Sequence, residues 1–97
     1  MSRFVLSPRA QADLDAIWDY TIKAWDAHQA ERYVRMIAEA IEFVALSPGI
    51  GKSCDHIRDG YRKYPAGSHF LFYRQLDGRI DIVRILHRRM DFDRHLP

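Results

Sequence analysis

Two helical apolar stripes stand almost end to end in the first half of the chain, and this arrangement constrains the fold more than any other feature. Ser7-Pro8 opens the first stripe. A serine at this point caps free backbone N–H groups, and proline fits the first helical position because it has no N–H to lose. Ala10, Leu14, Ile17, Trp18, Thr21 and Trp25 then recur at helical spacing and predict a helix over 8–25. Trp18 and Trp25 fall on this stripe and are expected as packing anchors. Asp13, Asp15 and Asp19 are expected on wetter faces, the first two near the positive end of the helix dipole. Asp26 begins the second helix, with Gln29 three residues on completing a capping-box pattern. Ala30, Tyr33, Val34, Ile37, Ala38, Ile41, Val44 and Ala45 form its apolar stripe, and Ser47-Pro48-Gly49 stops it, predicting a helix over 27–46. Amphipathic helices joined this tightly pack as an antiparallel hairpin.

The second half changes period. Arg3–Leu6 reads as a short strand at or near a sheet edge. After a loop with one possible helical turn over Gly49–Gly60, strands are expected at Tyr61–Tyr64, His69–Gln75 and Arg79–Leu86. Pro65-Ala66-Gly67 punctuates the first pair and Asp77-Gly78 turns the second. The tail from His87 to Pro97 is charged, with room for one short helix. The predicted fold class is α+β: order β-α-α-β-β-β, with the helical hairpin on one face of a mainly antiparallel four-stranded sheet. The other sheet face is then partly open or covered by something else, a first structural hint of a binding function. At 97 residues this is one domain, 1–97, with a thin stability margin.

Charge is divided unevenly. Residues 1–50 carry five Lys/Arg and seven Asp/Glu, whereas residues 51–97 carry ten and six. Twelve of the fifteen basic residues are arginine, the side chain best suited to carboxylate or phosphate recognition. The sheet half therefore suits nucleic acid or an acidic protein segment, and composition does not choose between them. Its ordinary alternative is local pairing of Arg58, Arg62, Lys63, Arg74, Arg84, Arg88 and Arg89 with Asp55, Asp59, Asp81, Asp91 and Asp93. Arg84 is the unusual member, since it interrupts an apolar strand.

Other chemistries find no support. A single cysteine, Cys54, makes an internal disulfide framework impossible. The five histidines match no zinc-ligand spacing, so neither a metal nor a cofactor is expected. No apolar run approaches a membrane span, no secretory signal opens the chain, and a cytoplasmic location is expected. There is no nucleophile elbow, P-loop or dinucleotide fingerprint. Cleavage of RNA would need a group on the 2′-hydroxyl, a charge stabiliser and a proton donor. Arg58, Arg62, Lys63, His69, Tyr73, Arg84 and His87 are the groups available, with Arg62, Tyr73, Arg84 and His87 the leading candidates, and no spacing certifies them as one set. His69 and His87 flank strands, where each either bonds locally or faces a ligand.

With these residues laid out, the chain resembles the ParE toxins of the RelE/ParE superfamily. The likeness runs through LSPRAQADLDAIWDY (6–20), the Ser47-Pro48 stop, Gly51 and IRDGYRKYPAGSH (57–69). It is most specific in FLFYR (70–74) and IDIVRILHRRMDFDRHL (80–96). The resemblance implies a type II toxin–antitoxin module. Its partner would be a ParD-like antitoxin with a DNA-binding N-terminal region and a C-terminal region that folds on the toxin, giving a hetero-oligomer that meets operator DNA only through the antitoxin. It also implies inhibition of DNA gyrase rather than enzymatic activity. The alternatives are a ribosome-dependent mRNA interferase, as in RelE-like relatives, or a weakly toxic antitoxin-binding protein. Antitoxin contacts are expected at Trp18, Trp25, Arg58, Arg62, Arg74 and Arg84. Gyrase contacts are expected in the C-terminal segment, at Arg84, His87, Arg88, Arg89, Met90 and Arg94.

Overall fold

The computed structural model describes residues 3–97. Strand β1 (Phe4–Leu6) leads into helix α1 (Pro8–Ala24), α2 (Ala27–Leu46) and a single 3-10 turn (Pro48–Ile50). Strands β2 (Lys52–Ser53), β3 (Tyr61–Ala66), β4 (His69–Leu76) and β5 (Arg79–His87) follow, and a short helix α3 (Phe92–His95) ends the chain. Both helix starts form as their sequences require. The Ser7 hydroxyl accepts the Ala10 N–H at 3.0 Å, and the Asp26 carboxylate accepts the Gln29 N–H at 2.7 Å. Ser7 also donates to the Val83 carbonyl at 2.9 Å, so the cap of α1 is pinned to β5. The first helix stops one residue short of the predicted span, because Trp25 leaves helical geometry as the C-cap.

The sheet has five strands in the order β1-β5-β4-β3-β2. The predicted count of four is corrected by β2, two residues of the expected loop that pair antiparallel with Lys63 and Arg62. The pairing is otherwise antiparallel except at β1, which runs parallel to β5 over Ile80–Ile82 only. Pro65 and Ala66 belong to β3 rather than ending it, and the turn is Gly67-Ser68. Pro65 is tolerated there because β2 has already ended, so no neighbouring strand needs its missing N–H. Gly67 takes φ +61°, and a Cβ at that position would collide with Tyr33 and Met36 of α2.

The hairpin covers one face. Ala10 and Ile17 of α1 and Ile37, Ile41 and Val44 of α2 close over Leu71, Tyr73, Ile80, Ile82 and Ile85. Each large aliphatic side chain buried here contributes about 1.5–3 kcal/mol. The opposite face is not left open. Cys54, Ile57 and the C-terminal Phe92 and Leu96 pack on Phe72, Val83 and Leu86 as a second, smaller core. Its rim is cationic, with the Lys63 ammonium 4.7 Å from the Phe70 ring centre and 5.3 Å from that of Phe92. No helix among the described residues is long and apolar enough to cross a membrane.

Expectations fail at four residues. Trp18 and Trp25 are not core anchors: they are 37% and 72% exposed. The face of α1 that meets the sheet is centred on Ala10, Leu14, Ile17 and Thr21. Trp18 lies one step around from that line, and Trp25 swings out where the helix ends. Ala38 is likewise exposed, at the margin of the α2 stripe. Asp13 is not on a wet face, and its role follows below.

A groove between the first helix and the free half of strand β5

Strand β1 ends opposite Ile82, so β5 continues from Val83 to His87 with no strand on its outer side. Asp13 of α1 occupies the start of this free edge. Its carboxylate accepts the Ile85 N–H at 2.9 Å and the Arg84 Nε and Nη2 donors at 2.7 and 2.8 Å. Arg84 also donates through Nη1 to the His95 carbonyl at 2.9 Å. One guanidinium thereby ties the helical hairpin, β5 and the C-terminal segment together. Its hydrogen bonds to Asp13 raise the arginine pKa above its ordinary value, outweighing the opposing effect of burial.

Beyond Asp13 the edge opens into a groove of about 650 Å³. Ala16, Ile17, Tyr20 and Trp25 form one wall and Ile85, Leu86, His87 and Met90 the other, with Tyr33 and His69 at its inner end. Tyr20 and Trp25 are each 72% exposed, an unusual outlay of aromatic surface for a chain of this size. At the inner end the Tyr33 hydroxyl accepts the Ser68 N–H at 2.9 Å and lies 2.7 Å from His69 Nδ1. The His69 and His87 rings meet edge to face with centres 5.3 Å apart. Burial, and then the neighbouring His87, lower the His69 pKa below its ordinary value, with a smaller opposing pull from Asp13.

Of the residues expected to contact an antitoxin, only Trp25 lines this groove. Trp18 lies outside it on α1. Arg58 instead clamps the tail, bonding the Asp93 carboxylate at 2.9 Å and the Asp93, Leu96 and Pro97 carbonyls. Arg62 donates to the Gly51 carbonyl at 2.7 Å. Arg74 meets Asp81 at 3.5 Å, and Arg84 is the internal clamp, only 14% exposed at its side chain. Among the expected gyrase contacts, His87 and Met90 line the groove, and Arg88 and Arg89 are exposed beside it. Arg94 is exposed and meets Asp91 at 3.6 Å. Local pairing thus takes up Arg58, Arg74, Arg84 and Arg94, whereas Arg62, Lys63, Arg88 and Arg89 form no ion pair among the described residues.

The RNA-cleavage candidates do not form one constellation. Tyr73 is fully buried, its hydroxyl donating to the Pro48 carbonyl at 2.7 Å and accepting the Gly51 N–H at 2.9 Å. Burial raises its pKa, against smaller lowering effects from the Gly51 N–H and Arg62. Arg62 stands opposite Tyr73 in the ladder, but His87 stands opposite His69, four residues away along β4. At a strand rise of about 3.4 Å per residue, that separation is roughly 14 Å. Among the described residues no group of three metal-ligating side chains gathers. The sequence does not single out Asp13, Ala16, Tyr20 or Tyr33 as binding residues. The available signal was the spacing of Asp13, Ala16 and Tyr20 along a strip of α1 beside its core stripe, which becomes a wall only when β1 stops short, whereas Tyr33 belongs to the apolar stripe of α2.

The family model described as "ParE toxin of type II toxin-antitoxin system, parDE" matches residues 4–92. The chain is 56% identical over 96 residues to Toxin ParE1 of Mycobacterium tuberculosis, covering 98% of each chain. It is 43% identical over 96 residues to Toxin ParE1 of Caulobacter vibrioides, covering 99% of each. In fold it is similar to a chain of the chromosomal ParDE system of P. aeruginosa, with a TM-score of 0.78 and 24% identity, over 90% of this chain and 96% of that one.

Proposed function

The chain belongs to the ParE toxin family of type II toxin–antitoxin systems, and from that premise we propose that a ParD-like antitoxin restrains it by docking in the α1/β5 groove and that the free toxin inhibits DNA gyrase. The observation that carries the docking half is the groove itself: an open, largely apolar channel with two exposed aromatic side chains on its wall. An amphipathic or extended segment that orders on binding fits such a surface. Docking would also stabilise a small domain by mass action. The resulting complex is a cytoplasmic hetero-oligomer that reaches operator DNA through the antitoxin.

The gyrase half is supported by the ParE-like segments at 70–74 and 80–96 and by the dispersal of the RNA-cleavage candidates. Arg84, the best charge stabiliser among them, is already committed to Asp13. The decisive experiment titrates purified toxin into a gyrase supercoiling assay, with ribosome-bound mRNA as a parallel substrate. Supercoiling should be lost at near-stoichiometric toxin while the mRNA stays intact. Codon-dependent mRNA cutting with normal supercoiling would reverse the reading, and an effect on neither would leave an antitoxin-binding role alone. The docking half is tested with Ala16→Arg, which places a charge on the exposed groove wall. Antitoxin affinity should fall about tenfold or more, because the new charge is desolvated without a partner.

A further inference from the structure

Resting on the docking reading above, we infer that His69 and His87 form a carboxylate subsite in the groove, which takes an acidic side chain of the antitoxin segment and gains a proton as it does so. The local hydrogen bonds define what the two rings offer. The Tyr33 hydroxyl accepts the Ser68 N–H and lies 2.7 Å from His69 Nδ1, and in the His69 tautomer protonated at Nε2 the phenol donates to Nδ1. His87 Nδ1 accepts the Arg89 N–H at 3.1 Å. With Nδ1 acting as acceptor in both neutral rings, both carry their proton on Nε2. Neither Nε2 has a protein partner among the described residues. Two histidines that line the same groove, their rings edge to face, thus each keep an N–H without a protein partner among the described residues, and a carboxylate, with two acceptor oxygens, is complementary to the pair.

The charges around the pair favour the same occupant. From α1, Asp13 faces His69, but Arg84 neutralises it through two hydrogen bonds. Tyr20 and Tyr33 contribute neutral phenols from α1 and α2. Beyond β5, Arg88 and Arg89 form no ion pair among the described residues. No free carboxylate of the toxin's own lines the groove. In the empty groove burial, and then the neighbouring His87, lower the His69 pKa. An incoming carboxylate on the Nε2–H side offsets these effects, so His69 takes up a proton at Nδ1 on binding and the Tyr33 hydroxyl turns to accept it on its second lone pair.

The test measures binding of the cognate ParD-like antitoxin by calorimetry in two buffers of different ionisation enthalpy. Affinity should strengthen about fivefold or more between about pH 8 and about pH 6, with roughly one proton taken up per complex near neutrality. His69→Gln with His87→Gln should flatten the dependence while still binding at about pH 8. If loss of the Tyr33 bond leaves the double variant unfolded, His87→Gln alone and the wild-type proton count decide. No proton uptake, weaker binding in acid, or an unchanged slope in the folded variant overturns the carboxylate subsite. Ala16→Arg separates the two readings. If it leaves affinity unchanged, the groove is not the docking site and both fall. If it weakens binding while the wild type takes up no proton, only the subsite falls.

Discussion

Replacing Asp13 with alanine tests whether Arg84 is a structural clamp or a surface contact. The pair has two charge-assisted hydrogen bonds at 2.7 and 2.8 Å, with both side chains only 14% exposed. Removing one member of a buried pair costs about 3–5 kcal/mol, because the other charge is left without compensation. The variant also strands the Ile85 N–H, which sits at a strand edge with no neighbouring strand to replace the lost acceptor. Allowing for the residual solvent contact, we expect a loss of about 3 kcal/mol. A domain of this size has only about 5–15 kcal/mol in total, and each kcal/mol moves its melting point by about 4–8 °C. Asp13→Ala should therefore melt roughly 12–24 °C lower than wild type by circular dichroism. Asp13→Leu combined with Arg84→Met, which removes both charges, should recover much of that loss, and a double-mutant cycle should give about 2 kcal/mol or more of coupling. A loss below about 1 kcal/mol for Asp13→Ala would place the pair among solvent-screened surface bridges and refute the argument. So would an Arg84→Met protein with an unchanged melting point and weakened antitoxin binding.

Two further predictions concern the sheet. Tyr73→Phe removes a buried hydroxyl from between the Pro48 carbonyl and the Gly51 N–H, and should cost about 1–3 kcal/mol in urea unfolding, with no effect if water replaces both bonds. His69 has a lower pKa folded than its ordinary 6.5, so the unfolded chain binds the proton first as pH falls. The free toxin should lose stability as pH drops through 6.5 toward the lowered folded value, and His69→Gln should reduce that slope. Equal slopes in melts of the two proteins would assign the acid sensitivity to other groups.

The helices were legible in the sequence because their signals are local. Ser7-Pro8 and Asp26 define starts, Pro48-Gly49 defines a stop, and a capped stripe of period 3.6 has one way to fold. The meander was legible for the same reason, through Asp77-Gly78 and its flanking apolar runs. The groove was not, since it depends on a register that no local rule sets. Counting outward from Asp77-Gly78, uninterrupted pairing would place Leu86 opposite His69. The irregularity between Phe72 and Tyr73 shifts the ladder, so Arg84 faces Phe72 and His87 faces His69. Its cause lies in the two cores. Strict alternation from Ile80 and Ile82 would drive Arg84 under the helices, whereas the observed phase break places Ile85 there and Val83 and Leu86 on the other face. Arg84 is left at the free edge within reach of Asp13, seventy-one residues earlier in the chain. The sequence determined the two long helices and the three meander strands, because capping and periodicity act over a few residues, but not β2, two residues that are strand only through their pairing with β3. Tertiary structure alone decided which histidines meet, which arginine is clamped and where the groove opens, because these follow from two faces of one strand being buried at once.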